Sequence, residues 1–158
     1  MDAEKYGQKY QEHLLEQYKL YVKVMNQTSV QRGNNNKFYI AILSLLLAML
    51  SFFINSGFTN LIIFIVSIMG LLLCYTWHKN IESYRQLNAG RFRVIHEMEK
   101  QLPFNCFERE WQYLTPENYT RLTMVEKFVP MFLSIPYLII VLFYLIKFFY
   151  YLGTNTIF

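Results

Sequence analysis

Charge is what this chain lacks over its middle. Forty-one consecutive residues, Phe38 to His78, hold no Asp, Glu, Lys or Arg. Cysteine is scarce too. Cys74 and Cys106 stand 32 residues apart, a spacing that points to neither a disulfide framework nor a zinc site. The six glycines form no phosphate-cradling loop and no dinucleotide fingerprint. The three histidines, His13, His78 and His96, are scattered, and His96-Glu97 begins like a zinc-protease helix but has Lys100 where the second histidine is needed. The carboxylate pairs Glu97/Glu99 and Glu108/Glu110 are read as lying on charge-mixed, solvated faces. These absences leave no catalytic constellation, no cofactor and no metal, and the expectation is a protein that is not an enzyme.

What the chain has instead is apolar length. Phe38–Ile54 and Phe58–Trp77 are apolar stretches of 17 and 20 residues, joined by Asn55-Ser56-Gly57, and a third runs from Phe128 to Leu152. A helix needs about 17–25 such residues to cross a bilayer core. None of the three shows the polar stripe of a helix packed in a soluble domain. The fold expected is all-α: a polytopic membrane protein with three transmembrane helices and helical cytoplasmic segments. Its parts are an N-terminal helix (1–37), a transmembrane hairpin (38–78), a cytoplasmic helical segment (79–127), a third span (128–152) and an external tail (153–158).

Basic residues set the expected orientation. Residues 1–37 carry six Lys or Arg and residues 79–127 carry eight, whereas the turn between the first two spans and the tail after Leu152 carry none. Basic loops stay in the cytoplasm, so the N-terminus is expected inside and the C-terminus outside. No cleavable signal peptide is legible, which makes the first span an anchor. The sequons Asn26-Gln27-Thr28 and Asn118-Tyr119-Thr120 fall on the inner side and are read as chance matches.

Residues 4–32 read as a helix with Tyr10, Leu14, Tyr18, Tyr21, Met25 and Thr28 at heptad spacing. Two uses are open, an amphipathic helix on the membrane surface or a seam between copies. Gly33 and Asn34–Asn36 follow, where the helix either bends or continues. Ile81, Tyr84, Asn88, Arg91, Ile95, Met98 and Leu102 repeat the spacing on the extension of span two. Gly90 is a kink candidate and Pro103 ends the helix. Phe107 to Leu114 reads as a short helix, and Pro116 suits a first helical position. Thr123 to Glu126 has capping-box spacing before span three, with Pro130 and Pro136 in its first turns and a kink expected at Pro136.

Two sets of residues invite a functional reading. Span one carries small or polar residues on one face, Ala41, Ser44, Ala48, Ser51 and Asn55, and span two carries Ser67, Gly70 and Cys74. Small faces let helices approach closely in lipid. The plainer reading packs the two faces together within the hairpin, and the sharper one lets the first line a symmetric pore. Lys147 lies about 28 Å along the third helix from Phe128. There it either snorkels to the outer interface or rings a pore mouth. Lys19, Lys23 and Arg32, with Arg85, Arg91 and Arg93 on the other cytoplasmic helix, form the second set. In a ring of subunits these cations could hold an anionic ligand. Topology control and attraction to anionic lipid are the alternative, and they suit Lys37 and Lys79 better than Arg91 and Arg93.

SYRQLNAGRFRVIHEMEKQLPFNCFEREWQYL (Ser83 to Leu114), followed by LTMVEKFVP (Leu122 to Pro130), resembles the RipA family of octameric bacterial membrane proteins. The earlier YKLYVKVMNQTSVQRGNNNKFY is similar in kind, and Ala89 and Arg91 depart from the Ser and Lys expected there. The resemblance implies a homo-oligomer of the bacterial inner membrane, an octamer, with a tetramer as the other size considered, and offers no catalytic residues. In architecture the chain also resembles membrane effectors of anti-phage systems, where a nucleotide or oligonucleotide signal controls a pore. The leading expectation is therefore a homo-oligomeric ion channel or pore controlled by a ligand at its cytoplasmic helices. A non-conducting membrane scaffold that recruits a cytoplasmic partner is the alternative.

Overall fold

The computed structural model describes residues 6–57, 59–114 and 122–155. Phe58, the Thr115-Pro116 restart, the Asn118-Tyr119-Thr120 sequon and residues 156–158 of the tail lie outside the described residues. Four helices follow one another: α1 (Tyr10–Asn55), α2 (Asn60–Glu99), α3 (Cys106–Leu114) and α4 (Leu122–Asn155). No strand occurs among the described residues. α1, α2 and α4 are each long and apolar enough to cross a membrane. Gly33 and Asn34–Asn36 lie inside α1, and Gly90 lies inside α2, without ending either helix. The chain divides into two compact units. One, the apolar unit, is Asn34–Ile81 with Leu122–Phe158; the other, the polar unit, is Met1–Gly33 with Glu82–Arg121.

The apolar unit is a three-helix packing. Leu43 and Leu50 of α1, Ile63, Cys74, Trp77 and Ile81 of α2, and Tyr137 of α4 form one buried cluster. The turn from α1 to α2 uses Gly57 at φ +70°, a left-handed conformation open to glycine at little cost. The Ser56 N–H closes the last turn of α1 on the Phe52 carbonyl at 2.9 Å. Tyr137 is fully buried and donates its hydroxyl to the Leu43 carbonyl at 2.5 Å. Its ring lies so close to Gly70 that an added Cβ would stand 2.3 Å from two ring carbons. The small face of span two therefore seats a tyrosine from the third helix, rather than pairing with the small face of span one. Trp77 is buried, donating to Asn36 at 2.9 Å and stacking on Tyr39 at 5.6 Å. Asn80 donates to the Tyr39 hydroxyl at 2.9 Å. Trp77 thus packs inside the unit.

Pro130 and Pro136 lie inside α4, whose described part runs back from the third apolar stretch to Leu122. Each proline frees the carbonyl four residues back, and Pro130 is fully buried against the unit's interior.

The polar unit pairs the two heptad seams with each other. Tyr10 donates to Gln101, Tyr18 donates to Glu99 at 3.0 Å, and Arg91 donates to Thr28, an antiparallel register. Met25, Thr28, Ile95 and Glu99 are buried along it. The seam on residues 10–28 thus meets a partner within the chain, a use beyond the two open from sequence. A lone sequence cannot show that a second seam some 60–90 residues later is its partner.

Candidate functional site

Within the polar unit, α2 ends at Glu99, and Leu102 N–H still bonds the Glu99 carbonyl at 3.0 Å before Pro103 stops the pattern. The Glu99 side chain is fully buried. Its carboxylate accepts the Tyr18 hydroxyl at 3.0 Å and the backbone N–H of Phe107 at 3.0 Å, with the N–H of Glu108 at 3.4 Å. Phe107 and Glu108 open α3, whose first N–H groups have no partner within the helix. Glu99 therefore supplies the cap that a local side chain usually gives. Asn105, at the cap position, accepts the Arg109 N–H on its carbonyl and turns its amide to Glu108 at 3.0 Å. The solvated carboxylate pair read from sequence is half wrong: Glu97 is exposed, but Glu99 is the buried node of the unit. Burial, and then the Glu99 carboxylate, push the Tyr18 hydroxyl up to about 12. No local signal in the sequence marks this node, because only the fold brings Tyr18 to Glu99.

The six candidate cations separate by environment. Arg85 is paired with Glu82 at 2.5 Å and Lys19 with Glu16 at 2.9 Å, each within its own helix. Lys23 and Arg93 are exposed, and Arg32 is half-buried. Arg91 is half-buried and spends one N–H on the Thr28 hydroxyl, which itself donates to the Val24 carbonyl at 3.0 Å. One turn before it, the side-chain amide oxygen Oδ1 of Asn88 is buried without a hydrogen-bond partner among the described residues. Arg91 and Thr28 are brought together across the seam, and Arg32 lies one turn beyond Thr28 on the same helix. Arg85 and Lys19 are each taken up by a neighbouring carboxylate instead. A shallow cleft beside α3 is lined by Phe104, Asn105, Glu108 and Arg109 among others.

In the apolar unit, Ala41, Ser44, Ala48, Ser51 and Asn55 are all exposed. Leu43 and Leu50 carry the intrachain packing on the other side of α1. Lys147 is exposed on α4. Among the described residues no group of three His, Cys, Asp or Glu could hold a metal ion.

A family model described as the octameric membrane protein family (8xMP) matches residues 15–146, from the first turns of α1 to the last third of α4. The chain belongs to the octameric membrane protein family. Nothing matches it among curated proteins or among solved structures. Membership and the three apolar helices together make this a membrane protein of a family described as octameric. In this 8xMP chain the small face of α1 is one of the surfaces of the apolar unit that intrachain packing leaves open, with Leu45, Met49 and Phe52 exposed beside it.

Proposed function

We propose that the chain assembles into a homo-octamer in a bacterial inner membrane and conducts ions through a central lumen, without catalysing a reaction. The observation that carries this reading is the exposure of Ala41, Ser44, Ala48, Ser51 and Asn55 along one face of α1, while the chain's own packing uses Leu43 and Leu50. Small residues on an open face let helices of neighbouring copies approach closely. Ser44, Ser51 and Asn55 supply polar groups to water in a lumen. The basic residues of 1–37 and 79–127 support an orientation with the N-terminus in the cytoplasm and the C-terminus outside. A reporter fused after Phe158 should be active only on the outer side, and activity in the cytoplasm overturns the orientation.

Control falls to an anionic ligand at the cations of the polar unit, with Arg91 the first candidate and Arg93, Arg32 and Lys23 as auxiliaries. Arg85 and Lys19 are less suited, because Glu82 and Glu16 already neutralise them. Such a ligand must bind the open and closed states with different affinity to shift the balance. A nucleotide or oligonucleotide signal would fit the architecture of an anti-phage effector. The test is ion flux from liposomes holding the purified protein, with oligomer mass measured on the same sample. Ser44→Leu or Ser51→Leu should abolish flux. Wild-type flux from an intact oligomer of either variant removes the pore-lining assignment. Arg91→Gln with Arg93→Gln should leave assembly intact and change control of the pore; an unchanged response removes this patch as the sensor.

A second reading, a non-conducting scaffold, is favoured by α3. No residue of that helix is buried, and Trp111 and Tyr113 are 43% and 69% exposed. Assembled protein that carries no ions in liposomes would leave this reading standing.

A further inference from the structure

The open face of α1 does not stop at Ala41. Lys37 precedes it by four residues, and the series Lys37, Ala41, Ser44, Ala48, Ser51, Asn55 runs at steps of 4, 3, 4, 3 and 4. On an α-helix that spacing is a single face. Every member is exposed, and all lie in the apolar unit. The face therefore has a charged end at Lys37 and a neutral one at Asn55. A second observation concerns the state of that charge. The unit's other lysine next to the first two spans, Lys79, sits over the Tyr75 ring at 5.5 Å. Lys37 makes no hydrogen bond, ion pair or ring contact with any described residue. A third concerns charge balance: the residues of the apolar unit include four lysines, Lys37, Lys79, Lys127 and Lys147, against one acid, Glu126.

We infer that Lys37 forms a ring of ammonium groups at the inner mouth of the lumen and that the pore is selective for small anions. This rests on the pore reading above and gives it a permeant ion. Rings of basic side chains favour anions, as rings of carboxylates favour cations, because the like-charged ion is repelled at the narrowest approach. A water-filled lumen bounded by apolar helices also focuses that field, raising the local anion concentration. Lys37 is suited to the task because no described residue of its own chain neutralises it and because its register is that of the small, open residues.

The competing position for Lys37 is outside the oligomer, against anionic lipid headgroups. The two are separated by recording the full-length protein in planar bilayers of zwitterionic phosphatidylcholine under a tenfold KCl gradient. The reversal potential should lie toward the equilibrium potential of chloride. Lys37→Glu should move it toward that of potassium, inverting the permeability ratio, whereas Lys79→Glu should leave its direction unchanged. Lys37→Gln covers the case in which the charge reversal prevents assembly, and it should reduce the preference for chloride. A potassium-selective wild type, or Lys37 variants with wild-type selectivity, overturns the inference and leaves the pore standing. An intact octamer that passes no current overturns the pore, and the inference with it.

Discussion

The apolar unit buries leucine, isoleucine, tryptophan and tyrosine, and its specificity is one of shape: a glycine makes room for a tyrosine ring. The polar unit buries a threonine and a full carboxylate, and its specificity is one of hydrogen bonds converging on Glu99. In lipid, apolar surface gains little by leaving one apolar medium for another, so packing and a few interhelical hydrogen bonds decide how helices associate. Outside the apolar stretches, water competes for every polar group, and a buried carboxylate persists only if its oxygens are matched by donors. The difference teaches that the same heptad spacing can serve two kinds of packing within continuous helices.

The comparison is most sharply tested at Glu99. Glu99→Ala leaves the Tyr18 hydroxyl and the Phe107 and Glu108 N–H groups without their acceptor, at about 1–3 kcal/mol for each buried donor that stays unsatisfied. Hydrogen exchange across residues 106–114 should rise strongly while protection around Leu43 and Ile63 persists. Loss of protection at both would show that the units are not held independently. Gly70→Ala comes next. The methyl group cannot fit unless the Tyr137 ring moves, and overpacking of this kind costs about 1–3 kcal/mol. Thermal unfolding in detergent should fall, and a second change, Tyr137→Leu, should recover part of the loss. A neutral Gly70→Ala would mean that ring contact does not set the helix spacing. Tyr137→Phe keeps the ring and removes the bond to the Leu43 carbonyl, for an effect of about 0.6 kcal/mol in the same assay.

A further effect is a pH dependence confined to the polar unit. Tyr18 has a native pKa of about 12 against an ordinary 10.0, so its contribution is whole below pH 10 and declines as pH rises from about 10 to about 12. Tyr18→Phe should flatten that part of the stability profile relative to wild type. An identical slope in both proteins would assign the alkaline loss to other groups.

Much of this was legible in advance for a physical reason. Apolar length without charge admits few folds, and the three helices long enough to span a membrane follow the three apolar stretches. The stop at Pro103 was equally local, because a missing N–H acts on its own helix. The small face of span one could be read as small, and the structure adds that the chain leaves it open. Glu99 was not legible as a buried group: its neighbours in sequence are charged, and its partners lie eight residues ahead and 81 residues behind. Pro130 and Pro136 were legible near the start of the third apolar stretch, and the helix that carries them runs back to Leu122 among the described residues.

Sequence by itself determined the membrane class, the helical content, the apolar stretches and the family, because hydropathy and helix periodicity act over one or two turns or over one span. The tertiary structure decided which faces are spent and which remain. It assigned Ser67, Gly70 and Cys74 to the chain's own interior and left the face of Lys37, Ala41, Ser44, Ala48, Ser51 and Asn55 uncovered. It also paired the two heptad seams and sank one glutamate among three donors. Those outcomes depend on which distant segments meet, and periodicity records only that a face exists, not what it packs against.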